Sequence, residues 1–240
     1  LELGVIGDEE TLRGLARRCW GHALTLDLLG RYLEAVCDGD ATSAEEFFTT
    51  HEAMTDDVLS LPARRVIEAY LHWFDQGNED HSAPSQLMLL LGLFDRPASS
   101  HEIDALRAAW IPGVSESLTE LSTMKLRLAF AQLAHAGLIS YVNRNDSAQS
   151  NEKARFVLDA HPLVRNYFAA QLRETMPEAW TLGNRVLFEH LRDSTRHKPQ
   201  TASEMEPLYA AVRHGCRAGI YEEALVEVYW QRIQQDIHGK

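Results

Sequence analysis

Residues 123–159 read TMKLRLAFAQLAHAGLISYVNRNDSAQSNEKARFVLD, and the architecture of the chain turns on this stretch. Leu126, Phe130 and Leu133 recur at helical spacing, so a helix is expected over 123–136 with those side chains inward. Gly137 follows where a C′ residue takes positive φ, which glycine does without a Cβ clash. Leu138-Ile139-Ser140-Tyr141-Val142 and Arg155-Phe156-Val157-Leu158 are then apolar or alternating runs of strand length. Between them, 143–153 is polar and supplies a loop. The stretch predicts a helix, a glycine stop and a β-hairpin.

Upstream, an apolar helix over 85–94 stops before Pro97, and Ser99 with Glu102 three residues on forms a capping box. The box opens a helix carrying Ile103, Leu106 and Trp110, which Pro112-Gly113 breaks. Three helices followed by a hairpin is the order of a winged helix-turn-helix, here from near Ser85 to near Asp159. Ahead of it, a helix runs from Pro62 to about Gln76 with Val66, Ile67, Tyr70, Leu71 and Phe74 on one side, and 77–84 is a polar loop. At the N-terminal end, Leu12, Leu15, Ala16 and Cys19 mark one helix. Leu24, Leu28, Leu29, Tyr32, Leu33 and Val36 mark a second, with Trp20-Gly21-His22 between them and Cys37-Asp38-Gly39-Asp40 as the stop. Ser43 and Glu46 read as a capping box for a short helix carrying Phe47 and Phe48.

Downstream, Pro162 starts a helix carrying Leu163, Val164, Tyr167, Phe168 and Leu172, which makes His161 its N-cap. Past Pro177 the pattern changes to helix pairs. Leu182, Val186, Leu187 and Leu191 mark one helix, and Ser203 with Glu206 caps another carrying Leu208, Val212 and Cys216. Ala218-Gly219-Ile220-Tyr221 turns the chain and Glu222-Glu223-Ala224-Leu225 opens a third, giving a tetratricopeptide (TPR)-like unit. The expected fold is mainly α. It comprises a helical lid segment (1–60), a winged helix-turn-helix with a small β-hairpin and leading and trailing helices (61–175), and the start of TPR-like helical pairs (176–240).

The 240 residues are 45% hydrophobic and 24% charged, the proportions of a globular chain rather than a disordered one. No apolar run approaches the roughly 20 residues of a membrane span, and Asp8, Glu9 and Glu10 stand where a signal peptide would be apolar. Three cysteines without CxxC spacing support neither a disulfide framework nor a zinc site, and a cytoplasmic setting is expected. A start at Leu1 and a single helical-repeat unit both lead to the expectation that the chain belongs to a longer protein. The net charge is −12, most of it within residues 1–60, which speaks against nonspecific nucleic-acid binding.

Catalytic constellations are absent from the sequence. None of Lys125, Lys153, Lys198 and Lys240 stands in a GK[ST] context, so there is no P-loop. His51-Glu52 and His101-Glu102 are followed by Thr55 and Ala105 where a zincin needs its second histidine, and no GxSxG occurs. His214 and Cys216, two apart on a helix, point to different sides. The chain by itself is expected not to be an enzyme and to hold no metal. Two places invite a ligand: Gly21-His22-Ala23, where one helix ends and another begins, and His161 at a helix N-terminus. There, backbone N–H groups and the helix dipole suit a phosphate.

The segment Cys19-Trp20-Gly21-His22-Ala23-Leu24-Thr25-Leu26 resembles the region around the GxP motif of STAND NTPases, the NB-ARC and NACHT-like signalling ATPases. Leu158-Asp159-Ala160-His161-Pro162-Leu163-Val164-Arg165 is similar to the MHD motif that closes the winged helix of that family. The order of lid, winged helix and superhelical repeat matches as well. The resemblance implies that Gly21, His22 and Ala23 lie near an adenine and His161 near the β-phosphate of ADP, holding a closed state that exchange for ATP opens. Ala23 stands where the motif has proline, and Pro162 where it has aspartate. The resemblance further implies an upstream P-loop NTPase domain supplying the phosphate-binding lysine and the Mg²⁺ ligands, downstream sensor repeats, a protein or other trigger, and homo-oligomerisation on activation. The setting it implies is bacterial stress or antiviral defence signalling. Two other functions fit the sequence. One is a winged-helix DNA-binding transcription regulator, with Lys125 and Arg127 on the third helix and Arg144, Lys153 and Arg155 about the wing. The other is a helical protein-interaction scaffold.

Overall fold

The computed structural model describes residues 3–45, 48, 61–76, 82–143 and 156–235. Helix α1 (Glu9–Arg18) is capped by Asp8, whose carboxylate accepts from the Thr11 N–H at 2.7 Å. Trp20 and Gly21 both take positive φ in the turn that follows, and α2 (Ala23–Val36) leaves it with Leu28, Leu29 and Leu33 buried. A 3₁₀ turn (Ala41–Ala44) comes next, capped by Asp40. The positive φ of Asp38 and Gly39 brings the Asp40 carboxylate to the Thr42 N–H. Glu46 and Phe47 of the expected box lie outside the described residues.

Helix α3 (Leu61–Asp75) packs on α2, with the Tyr70 hydroxyl donating to the Leu28 carbonyl at 3.1 Å. Helix α4 (Ala83–Leu91) is buried from Pro84 to Leu91, as its all-round apolar sequence requires. Ser82 caps it, so it starts two residues earlier than the apolar run alone indicates. The Ser99–Glu102 capping box is present and opens α5 (Ser100–Ala108). Trp110 falls beyond the end of α5 at φ 48° and is 56% exposed, not inward as its spacing predicts. A one-turn helix, α6 (Glu116–Thr119), follows and leads into α7 (Thr123–His135). Leu126, Phe130 and Leu133 are buried on α7, and Gly137 behind it takes φ +73°.

Strands β2 (Ile139–Asn143) and β3 (Phe156–Ala160) pair antiparallel, with Ile139 opposite Ala160 and Asn143 opposite Phe156. Of the expected loop over 143–153, only Asn143 falls among the described residues, and there it is strand. A further strand, β1 (Ala98–Ser99), pairs with β3, so the sheet order is β1-β3-β2. Helix α8 (Pro162–Thr175) crosses α4 where Gly92 meets it, since a Cβ there would stand 2.7 Å from the Phe168 carbonyl carbon. A side chain at 92 would push the two helices apart.

Helix α9 (Pro177–Ser194) runs on to α10 (Ala202–Arg217). Thr201 caps α10 by accepting from Glu204, in place of the expected Ser203 and Glu206. The Glu204 carboxylate accepts from the Gln200 N–H at 2.7 Å and not from that of Thr201, so the cap lies two residues upstream of the expected one and is not a closed capping box. A short turn of helix (Tyr221–Glu223) runs into a π-helix (Ala224–Ile233). At ~100° per residue an α-helix would put Ile233 half a turn away from Ala224. The wider i→i+5 winding brings Ala224, Val228 and Ile233 to one buried side. Arg232 then reaches the end of α9 and donates to the carbonyls of Arg192, Thr195, Arg196 and His197 at 2.6 to 3.3 Å.

The molecule is thus mainly helical with a small three-stranded antiparallel sheet. Its interior forms two apolar clusters, one from Leu15 to Leu187 and one from Phe188 to Ile233. No described helix is long and apolar enough to cross a membrane.

Candidate functional site

His22 is the N-cap of α2. Its Nδ1 accepts from the Thr25 N–H at 3.3 Å and lies 3.0 Å from the Thr25 hydroxyl, so the neutral ring carries its proton on Nε2. Ala23 is the first helical residue, and Gly21, at φ +68°, has nothing within 4 Å of an added Cβ. The turn therefore presents open backbone at Gly21 and an indole at Trp20, 47% exposed and also left-handed. Cys19 beside it is no nucleophile, because burial pushes its thiol up to about 11.

His161 caps α8 in the same manner, Nδ1 accepting from the Leu163 N–H at 3.2 Å, and its side chain is exposed. Pro162 has no N–H and that of Leu163 is taken, so the imidazole Nε2–H is the exposed side-chain donor at this cap. Arg165, nearly buried, pairs with Asp159 at 3.2 Å and ties the first turn of α8 to the end of β3. His161 is therefore seated on a braced corner.

What relates the two histidines is the register of the hairpin. His161 lies one residue past the Ile139–Ala160 pair, and Gly137 lies two residues before Ile139 on the other strand. Gly137 is packed against α2: a Cβ there would be 2.9 Å from Arg31 Cδ and 3.2 Å from Asp27 Oδ2. Arg31 Nε donates to Asp27 at 2.9 Å and its Nη1 to the His135 carbonyl at 3.2 Å. Asp27 is five residues, ~7.5 Å along the axis, from the His22 cap. The Asp27–Arg31 turn of α2 and the C-terminal end of α7 thus pack at the corner from which the hairpin leads into α8, and no hydrogen bond or ion pair joins His22 to His161 among the described residues.

No family model, curated protein or solved structure matches this chain.

Arg31 and Asp27 do not stand out in a motif reading, yet they bind α2 to α7. Their i,i+4 spacing of acid before base was the available signal. Among the described residues no group of three His, Cys, Asp or Glu is placed to hold a metal. His214 is buried. Its Nδ1 lies 2.9 Å from Asn184 Oδ1, and burial, with Arg217 adding, holds its pKa down to about 3. That ring is neutral and structural. The outward side of α7, where a DNA reader would place basic residues, exposes Met124 and Leu128 beside Lys125 and Arg127.

Proposed function

We propose that this chain is the regulatory lid, winged-helix and first repeat portion of a STAND-type signalling ATPase. The corner between α2 and α8 closes over the ADP held by an upstream P-loop domain. The observation that carries this reading is the hairpin register, which brings His161 to the same corner as α2 although 138 residues separate it from Ala23 in sequence. The sheet order β1-β3-β2 around α5 and α7 supports the winged-helix assignment, and the α9–α10–π-helix series supports the repeat assignment.

In this reading the His161 Nε2–H meets the β-phosphate, with no charge required on the ring. Gly21 and Trp20 offer an open backbone and an aromatic face to the base where the family's proline is replaced by Ala23. ADP bound at the corner favours the closed arrangement, and ATP shifts the population to an open one that oligomerises. The DNA-reading alternative draws less support, because the exposed face of α7 mixes two apolar side chains with its two cations.

The test is nucleotide retention by the intact ATPase. His161→Ala is expected to weaken ADP binding about 10- to 100-fold, the worth of one hydrogen bond to a charged group, and to raise basal signalling. Unchanged ADP retention together with unchanged basal output contradicts the proposal.

A further inference from the structure

The two apolar clusters meet inside α9, where Leu187 belongs to one and Phe188 to the other. Helix α10 is also tied to the turn after α4, and these ties are largely polar. Asp95 in that turn lies 3.3 Å from Arg213 Nε and 3.5 Å from Arg217 Nη2, both on α10. Arg217 Nη1 donates to the Leu93 carbonyl at 3.1 Å, and its guanidinium stacks over Trp180 of α9 at 5.8 Å. His214, between the two arginines in sequence, sets its ring edge-on to Phe94. The opposite face of α10 is committed to the second cluster, since a Cβ on Gly215 would come within 2.7 Å of Ala224.

These ties differ in kind from the cores they join. Asp95, Arg213 and Arg217 are each a third to a half exposed, so their pairing exchanges with water and is open to screening by salt. Buried apolar contacts respond to neither. We propose that Asp95 is the key of a releasable clasp: two arginines of α10 converge on its carboxylate, and their pairing sets whether the second cluster moves as one body with the first. The inference does not depend on a nucleotide site.

Hydrogen exchange on the full chain, read by mass spectrometry, tests it. Asp95→Arg sets three cations together and is expected to speed exchange in 202–233 about tenfold or more, while 123–135 and 156–160 change less than about twofold. The charge swap Asp95→Arg with Arg213→Glu, which keeps the Arg217 bond to the Leu93 carbonyl, is expected to restore part of the protection. In the native chain, about 1 M salt, with its screening length of about 3 Å, shifts 202–233 in the same direction. The clasp is refuted by unchanged exchange in Asp95→Arg, by equal acceleration in both clusters, or by a swap that restores nothing. If Asp95→Arg does not fold, Arg217→Gln gives the deciding result: faster exchange confined to 202–233 upholds the clasp, and unchanged exchange refutes it.

Discussion

Two polar regions of this molecule sit where helices meet, and they use their polar groups in opposite ways. At the junction of α9 and α10, the groups spend their bonds on one another: Asn184 on His214 and the Trp180 carbonyl, Arg217 on Asp95 and the Leu93 carbonyl. At the corner of α2 and α8, His22 and His161 each use one ring nitrogen on their own helix and keep the other as a donor. A satisfied network specifies how elements pack. A donor held in place by a cap and left open is available to a ligand. The difference separates a histidine that builds the fold from histidines that can read an anion, and substitutions can be made to test it.

The largest expected effect is at the junction. The folded-state pKa of His214, about 3, lies below the ordinary value near 6.5. Its contribution to stability is therefore complete above pH ~6.5 and is lost as pH falls toward ~3, on the order of 5 kcal/mol over that window. Urea unfolding at a series of pH values should show this loss, and His214→Leu with Asn184→Leu should flatten the slope between those limits relative to the native chain. An unchanged slope would place His214 outside the buried network.

At the corner the same substitution in kind should cost much less stability. His161→Ala and His22→Ala each remove an N-cap bond, worth about 1 kcal/mol in denaturant unfolding, while any nucleotide effect falls on His161 far more than that loss explains. If His161→Ala destabilises the fold by several kcal/mol, its role is structural and the comparison fails. Arg31→Met comes last. Its partner Asp27 is a third exposed, so the expected loss is below about 1 kcal/mol, checked by the same unfolding assay.

How far the sequence reaches is visible in particular elements. Helices α1, α2, α3 and α7 follow from apolar spacing, and the Ser99–Glu102 box and the stop at Gly137 follow from local chemistry that needs no tertiary partner. Strand β1 is two residues long and exists because β3 pairs with it, so no periodicity announces it. The π winding of 224–233 is fixed by the burial of Ile233 and by carbonyls that Arg232 finds 35 to 40 residues away in sequence, which an α-periodic reading passes over. At the candidate site, the His161 cap is legible from Pro162 beside it, because a cap is a matter of a few adjacent residues, whereas His22 reads only as part of a helix break until the structure shows its bond to Thr25. Their common corner is not legible, because it rests on the Ile139–Ala160 register and on the contact of Arg31 with the end of α7.

The central claim is that the two capped helix starts face one nucleotide. A structure of the proposed signalling ATPase with ADP bound tests it most directly. The account predicts His161 Nε2 within about 3 Å of a β-phosphate oxygen and the Trp20–Ala23 turn against the adenine. An ADP bound elsewhere, with His161 still turned to solvent, would contradict it.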